Sequence, residues 1–393
     1  MARTFTALES DVFDLLVIGG GITGAGVARD AAMRGMRVAI VEKNEWASGT
    51  SSRSSRLVHG GIRYLEHGQI GLVRESVRER EILLRIAPGL VKPLEFTWPV
   101  YRGARLPKWK LRMGLAIYDW LAGKKRGSRH RALSVDGVLE NEPELRGDKL
   151  VGGAGYFDAS TDDAGLTRAN VASAVEHGAV AVNFARFETN TSSAGKADGA
   201  LVRDLKDGGS ARVSARAVVR ATGPWQAKGT KGSHIVVAQR RIGNRSAVTM
   251  ISPDDGRVMF VLPSGPDTII GTTDLHTDET PDNVRASDVE IAYLLRAANF
   301  YFPGAKLTQD DVKGTWAGIR PLATAPPGTS PSSISREHRI SRDANGVIVV
   351  TGGKLTTYRS MAAEIVDEVE RVIGRTHTRC RTDLEPLVLM NRL

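Results

Sequence analysis

The sequence predicts an α/β fold, α+β in overall content, with a Rossmann-like dinucleotide-binding domain and a second region on a mixed, largely antiparallel sheet. Three observations predict it. A continuously apolar run at residues 15–18 leads directly into Gly19-Gly20-Gly21-Ile22-Thr23-Gly24-Ala25-Gly26, as expected of a strand buried on both faces that feeds a helix. A second apolar run, 37–41, ends on Glu42. Four strand-like runs, at 233–237, 247–251, 258–262 and 268–272, then follow one another without the intervening helices that parallel pairing requires.

Each element has a local reason. Gly19 makes the tight turn, Gly21 lets backbone approach a pyrophosphate, and Gly24 lets the next helix pack on the strand. That helix, at about 22–34, points its N-terminal amides at the phosphates and stops near Gly35. Glu42 then stands where a carboxylate accepts from the ribose hydroxyls of an adenosine. Thr50, Ser51, Ser52 and Ser55 lie in a polar loop of hydroxyl residues that supplies further hydrogen-bond donors for a cofactor. In His59-Gly60-Gly61-Ile62-Arg63-Tyr64-Leu65, two glycines beside His, Arg and Tyr suggest close approach to something flat or anionic.

Residues 72–86 have helical periodicity, and Glu75, Arg78, Glu79 and Arg85 read as its solvated face. Residues 106–131 combine an apolar stripe (Leu111, Leu115, Ile117, Tyr118, Trp120, Leu121) with Lys108, Lys110, Arg112, Lys124, Lys125, Arg126, Arg129 and Arg131. A basic amphipathic helix carrying Trp109 and Trp120 suits an anionic membrane surface, and it equally suits a surface helix packed on its own core. Residues 155–184 resemble a further βα crossover, and 187–213 read as hairpins. A strand then ends on Ala221-Thr222-Gly223-Pro224-Trp225, a turn able to meet the same cofactor from its other side. A helix at about 287–298, a Pro/Ser/Gly-rich loop at 323–333, a strand at 347–350, Gly352-Gly353 and a helix at 361–373 complete the chain. Strand, glycines and helix N-terminus again make an anion-friendly turn.

Composition narrows the function. No apolar stretch reaches the roughly 18–20 residues that span a bilayer, and the acid-containing first residues do not read as a signal peptide. Cys380 is the only cysteine, which excludes internal disulfides and cysteine-ligated iron–sulfur clusters and suits a cytosolic protein. The net charge of +10 suits an anionic partner. No zinc-finger spacing, RNA-binding aromatic signature or long basic tail occurs, so neither nucleic acid nor a metal site is expected.

The glycine turn, the 50–55 loop, the His59–Leu65 motif, Ala221-Thr222-Gly223-Pro224-Trp225, Lys231-Gly232-Ser233-His234, Ile270-Gly271-Thr272-Thr273-Asp274, Gly318-Ile319-Arg320-Pro321-Leu322 and Gly352-Gly353-Lys354-Leu355-Thr356-Thr357-Tyr358 together resemble the FAD-dependent glycerol-3-phosphate dehydrogenases. These belong to the wider D-amino-acid-oxidase-like flavoprotein superfamily, of glutathione-reductase type. The resemblance covers nearly the whole chain. It implies a discontinuous FAD domain at 11–90, 150–230 and 340–375, a substrate or cap domain at 91–149 and 231–339, and a tail at 376–393. The implied reaction is oxidation of sn-glycerol 3-phosphate to dihydroxyacetone phosphate, with hydride passing from C2 to flavin N5 and electrons to a quinone. The implied setting is the cytoplasmic face of the cell membrane, as a peripheral protein; a homodimer is compatible with it.

By the same resemblance, Arg320 and Arg336 hold the phosphate end of the substrate, Arg63 and Tyr64 line the pocket, and Lys354 sits near flavin and substrate. A phosphate calls for guanidinium donors. Gly353, Lys354, Leu355 and Thr356 join Gly19, Gly21, Gly24, Glu42, Thr50, Ser51, Ser52, Ser55, His59, Gly60, Gly61, Ala221, Thr222 and Gly223 as the expected cofactor contacts. His234 is the leading candidate for base or proton relay, with His59 next. The sequence departs from the family in two places. Only Gln226-Ala227-Lys228-Gly229-Thr230 separates Trp225 from Lys231, where relatives carry a longer segment, and relatives commonly continue past the equivalent of Leu393 into a helical domain. Two other functions fit the residues alone: a flavin oxidase of an amino or hydroxy acid, and a non-catalytic flavin-binding subunit.

Overall fold

The computed structural model describes residues 5–123, 129–223, 229–320 and 338–387, with only the backbone of Arg63 and His67. The first apolar run forms β1 (Phe13–Ile18), the helix after the glycines is α1 (Ile22–Met33), and β2 spans Val38–Val41. β1 pairs in parallel with β2 on one side and with the strand Ser210–Arg220 on the other, so Leu16 lies opposite both Ala39 and Val218. The sheet runs on through Val180–Val182 beyond β2 and through Ile348–Thr351 and Arg339–Arg342 beyond Ser210–Arg220. Alternation along β1 explains its unbroken apolar run: Leu15 and Val17 enter the core under α1 and the helix Tyr358–Ile373, whereas Leu16 and Ile18 enter a second core with Ala200, Val202 and Val213. Both faces are buried.

Among the described residues the second sheet has 10 strands. Gly229–Ala238 pairs antiparallel with Asp267–Gly271, with Val312–Arg320 and, at its start, with Leu275–Thr277. Val258–Ser264 and Ala247–Ile251 continue the sheet toward Val91–Tyr101. Here the domain expectation needs correcting. The strand Leu150–Thr161 pairs antiparallel with Val91–Tyr101, and Leu57–Val58 pairs with it in turn, so these segments join the second sheet rather than the first. In the fold, Gly153 lets the strand lie against the carbonyl of Trp98, where a Cβ has no room.

A second correction concerns α2 (Ile70–Ile86), whose charged face is only partly solvated. Arg78 and Arg85 are exposed, but Glu79 is 2% exposed. It accepts from Arg359 Nε at 2.7 Å and Nη2 at 2.6 Å, while Ser360 donates to Glu75 at 2.6 Å. The C-terminal helix covers that face.

The basic stretch forms α3 (Lys108–Ala122), shorter than expected, and Arg131 begins a strand; residues 124–128 lie outside the described residues. Leu111, Leu115 and Tyr118 point inward, whereas Trp109, Met113, Ile117 and Trp120 are exposed. The stripe therefore divides between two faces.

Candidate active site

A cleft of about 920 Å³ runs between the two sheets, from Glu42 and Glu188 at one end to His234, Arg320 and Lys354 at the other. That is the upper end of the range for ligand pockets, roughly 300–1,000 Å³. At the first end α1 makes its first helical bond from Ala25 N to Gly21 O, at 2.9 Å. Of the amides before it, those of Thr23 and Gly24 have no intrahelical acceptor and suit an anion. Ile22 N donates to Ser51 Oγ at 2.9 Å, which ties the hydroxyl loop to the helix start. Gly19 has φ +111°, and a Cβ there would meet Ala221 O at 2.7 Å; a Cβ on Gly24 would enter the Gly19 carbonyl. Glu42 accepts from Gly20 N at 2.7 Å and from Asn44 N at 2.9 Å through different oxygens. Each oxygen keeps a lone pair for a hydroxyl donor. Glycine turn, helix N-terminus and carboxylate along one dinucleotide-sized cleft fit FAD.

Of the expected cofactor contacts, Gly19, Gly21, Glu42, Thr50, Ser51, Ser55, His59, Ala221, Thr222, Gly223, Gly353, Lys354, Leu355 and Thr356 line this cleft. Gly24, Ser52, Gly60 and Gly61 do not. Gly24 acts through packing, and Ser52 turns back to donate to Gly49 O. Gly60 N donates to Tyr118 Oη at 2.8 Å and approaches Asp158 Oδ1 at 3.2 Å. Arg80 Nη1 and Tyr118 Oη both donate to that carboxylate oxygen at 2.5 Å. Burial beside Asp158 pushes the Tyr118 phenol well above its ordinary value, which keeps it a donor. This buried group anchors the loop carrying His59 and Tyr64. Ala185, Arg186, Phe187, Glu188 and residues 280–283 also border the cleft and were not anticipated, because nothing in their local sequence marks them.

His234 lies at the other end on Gly229–Ala238, 3% exposed, its ring stacked on Trp316 with centroids 5.0 Å apart. Nε2 is 2.8 Å from Ser55 Oγ, and Nδ1 is buried with no hydrogen-bond partner among the described residues. Burial, with the charges of Arg320 and Arg56 added, pushes the imidazole down to about 3. It is therefore neutral at physiological pH. An unfolded chain protonates this histidine near 6.5, whereas the folded chain waits until about 3. Its contribution to stability is complete above 6.5 and is lost as pH falls toward 3. Urea unfolding at several pH values between those limits should show a shallower acid loss in His234→Gln than in the parent; equal slopes would rule this out.

Arg320, the last residue of Val312–Arg320, donates from Nη1 to Asp274 Oδ1 at 2.7 Å and from Nη2 to Thr272 Oγ1 at 3.0 Å and Thr273 O at 3.1 Å. It lines both the large cleft and an adjoining compartment of about 120 Å³. That compartment also contains Ser55, His59, Tyr64 and Arg257, against aromatic walls of Phe96, Trp98, Tyr156 and Phe260. Lys354 Nζ sits 3.9 Å from the Tyr64 ring centroid and 3.5 Å from Ser76 Oγ. Tertiary structure thus gathers His234, Arg320, Tyr64, Lys354 and His59 from distant parts of the chain. The Arg63 side chain, Arg336, Pro224-Trp225 and residues 226–228 lie outside the described residues. Arg257 was missed: its only local signal is the Asp255-Gly256 turn before it.

Comparison with known proteins agrees with this architecture. Residues 14–367 match the model of a family described as FAD dependent oxidoreductase. The aerobic glycerol-3-phosphate dehydrogenase of Staphylococcus epidermidis is 39% identical over 375 residues, which are 92% of this chain and 67% of that protein. Its Staphylococcus aureus counterpart is 38% identical over 394 residues, 95% and 71% respectively. The structure of glycerol-3-phosphate dehydrogenase from Bacillus halodurans complexed with FAD superposes with a TM-score of 0.79 at 35% identity, covering 96% of this chain and 68% of that one. L-alpha-glycerophosphate oxidase from Mycoplasma pneumoniae, with a TM-score of 0.72 at 17% identity over 94% of this chain and 97% of its own, shares the fold.

Proposed function

The chain belongs to the FAD-dependent oxidoreductase family, and from that premise we propose that it oxidises sn-glycerol 3-phosphate to dihydroxyacetone phosphate. One observation carries the substrate choice: Arg320, held by Asp274, faces a small compartment that opens beside the neutral His234 on the cofactor cleft. The dehydrogenases named above give the reading its substrate class. FAD, when bound, supplies the hydride acceptor. This chain's residues do the rest. Arg320 binds the phosphate and so places the hydroxyl-bearing carbon at the mouth between the two spaces. His234 takes the hydroxyl proton by way of Ser55, which lines both spaces and whose Oγ lies 2.8 Å from Nε2. Burial above all, with the charges of Arg320 and Arg56, keeps that imidazole unprotonated and only weakly basic in the resting site. Lys354 and Tyr64, and Arg63 and Arg336 by resemblance, complete the pocket. Anaerobic addition of glycerol 3-phosphate should bleach the yellow holoprotein; bleaching by amino or hydroxy acids alone would replace this reading with an oxidase of those acids.

The acceptor side rests on α3. Trp109, Met113, Ile117 and Trp120 are 62%, 55%, 39% and 78% exposed at helical spacing, beside exposed Lys110 and Arg112. No helix among the described residues is long and apolar enough to cross a membrane. An interfacial helix presents apolar and basic groups in this way. The stripe supports a peripheral site on the anionic inner face of the cell membrane, with electrons leaving to a quinone dissolved there. Co-sedimentation with vesicles containing phosphatidylglycerol should fall at least several-fold for Trp109→Ser/Trp120→Ser while flavin content stays constant; undiminished binding would reject α3 as the contact.

A further inference from the structure

We propose that Arg257 and Arg320 form a two-guanidinium clamp for the phosphate of the substrate, with Asp274 as the shared carboxylate that sets their separation. This rests on the glycerol 3-phosphate reading and adds to it the residue that discriminates phosphorylated from unphosphorylated substrate.

The geometry centres on Asp274, which is 5% exposed. Arg320 Nη1 lies 2.7 Å from its Oδ1, while Arg257 Nη1 lies 3.4 Å from its Oδ2 and donates to its carbonyl oxygen at 2.9 Å. Both guanidinium groups border the 120 Å³ compartment. Two guanidinium groups thus meet at one buried carboxylate on that wall. Asp255 is the other carboxylate near Arg257, with Oδ2 3.4 Å from Nε, but it is 41% exposed and lies toward solvent. Asp158, also on the compartment wall, is already paired with Arg80. Arg257 Nη2 makes no hydrogen bond among the described residues, so the fork keeps donors for a tetrahedral dianion. The aromatic walls offer no comparable site for a charged group.

The clamp is held from behind. Glu290 accepts from Ser233 Oγ at 2.7 Å and Thr273 Oγ1 at 2.8 Å, and Lys231 closes the group at 3.0 Å from Glu290. The turn carrying Thr272, Thr273 and Asp274 is thereby fixed to Gly229–Ala238 and to the helix Asp288–Tyr301. A rigid support of this kind is what places donors accurately around an anion.

The test uses FAD-loaded full-length protein and compares glycerol 3-phosphate with glycerol at high concentration as reductants of the flavin. In Arg257→Met, KM for glycerol 3-phosphate should rise about 10- to 100-fold with kcat changed by less than about threefold, and the rate with glycerol should fall far less than kcat/KM for glycerol 3-phosphate. Arg257→Lys, which keeps the charge without the fork, should fall between. An unchanged KM in a flavin-replete Arg257→Met, or equal loss with both reductants in both variants, overturns the clamp. Failure of the parent protein to be reduced by glycerol 3-phosphate overturns instead the reading on which the clamp rests.

Discussion

An Arg320→Ala variant is expected to keep its flavin and lose its substrate. Arg320 lies at the end of a strand paired with Gly229–Ala238 and belongs to no apolar core, so the cofactor cleft should persist. A charge-assisted hydrogen bond contributes about 1.5–3 kcal/mol. Two lost to one phosphate give a KM rise on the order of 10²- to 10⁴-fold, since about 1.4 kcal/mol is a factor of ten. The truncation also leaves Asp274 buried with less compensation, at a cost to stability of about 1–3 kcal/mol. Arg320→Ala/Asp274→Asn separates the two effects: stability should recover and binding should not. Removing the Arg320 charge also relieves one of the influences that hold His234 down, so its imidazole should titrate higher. Steady-state kinetics with a visible flavin spectrum check the first expectation; an unchanged KM would remove Arg320 from the phosphate site.

The second large effect is expected at Gly24. A Cβ there enters the carbonyl oxygen of Gly19 and stands 3.3 Å from Val17 Cγ1, all within the β1–α1 turn that bears on the pyrophosphate. Backbone cannot swing aside as a flexible side chain can, so Gly24→Ala must separate helix from strand. Overpacking of this kind costs about 1–3 kcal/mol or more, and it acts where the cofactor's phosphates must approach. The purified variant should be essentially colourless and should not regain absorbance with added FAD. Gly114, on α3, has nothing within 4 Å of an added Cβ, so Gly114→Ala serves as the innocuous control. A yellow, fully loaded Gly24→Ala protein would contradict the packing role.

The β1–α1–β2 unit was legible because its determinants are neighbours in the chain. Strand, glycines and acid fall within about 30 residues, and the steric demand at Gly24 comes from Gly19 and Val17 of the same unit, whereas that at Gly19 comes from Ala221, far along the chain. Arg320, Lys354 and His234 could be named from the motifs around them. Arg257 could not, since only the register of Val258–Ser264 with Asp267–Gly271 brings it to Asp274. Glu79 was misjudged for the related reason that periodicity records which positions share a helix face and not what later covers that face.

What the sequence determined by itself was therefore the cofactor end: the turn, the helix that starts on it, and the carboxylate that follows, all set by short-range sterics and burial. Tertiary structure alone decided the counter-charges. Arg359 reaches Glu79 across 280 residues, Tyr118 carries α3 to Gly60 across 58, and Arg320 meets Asp274 across 46. The free energy of an ionic or polar group depends on its partner and its distance from water, and neither is specified until distant elements pack.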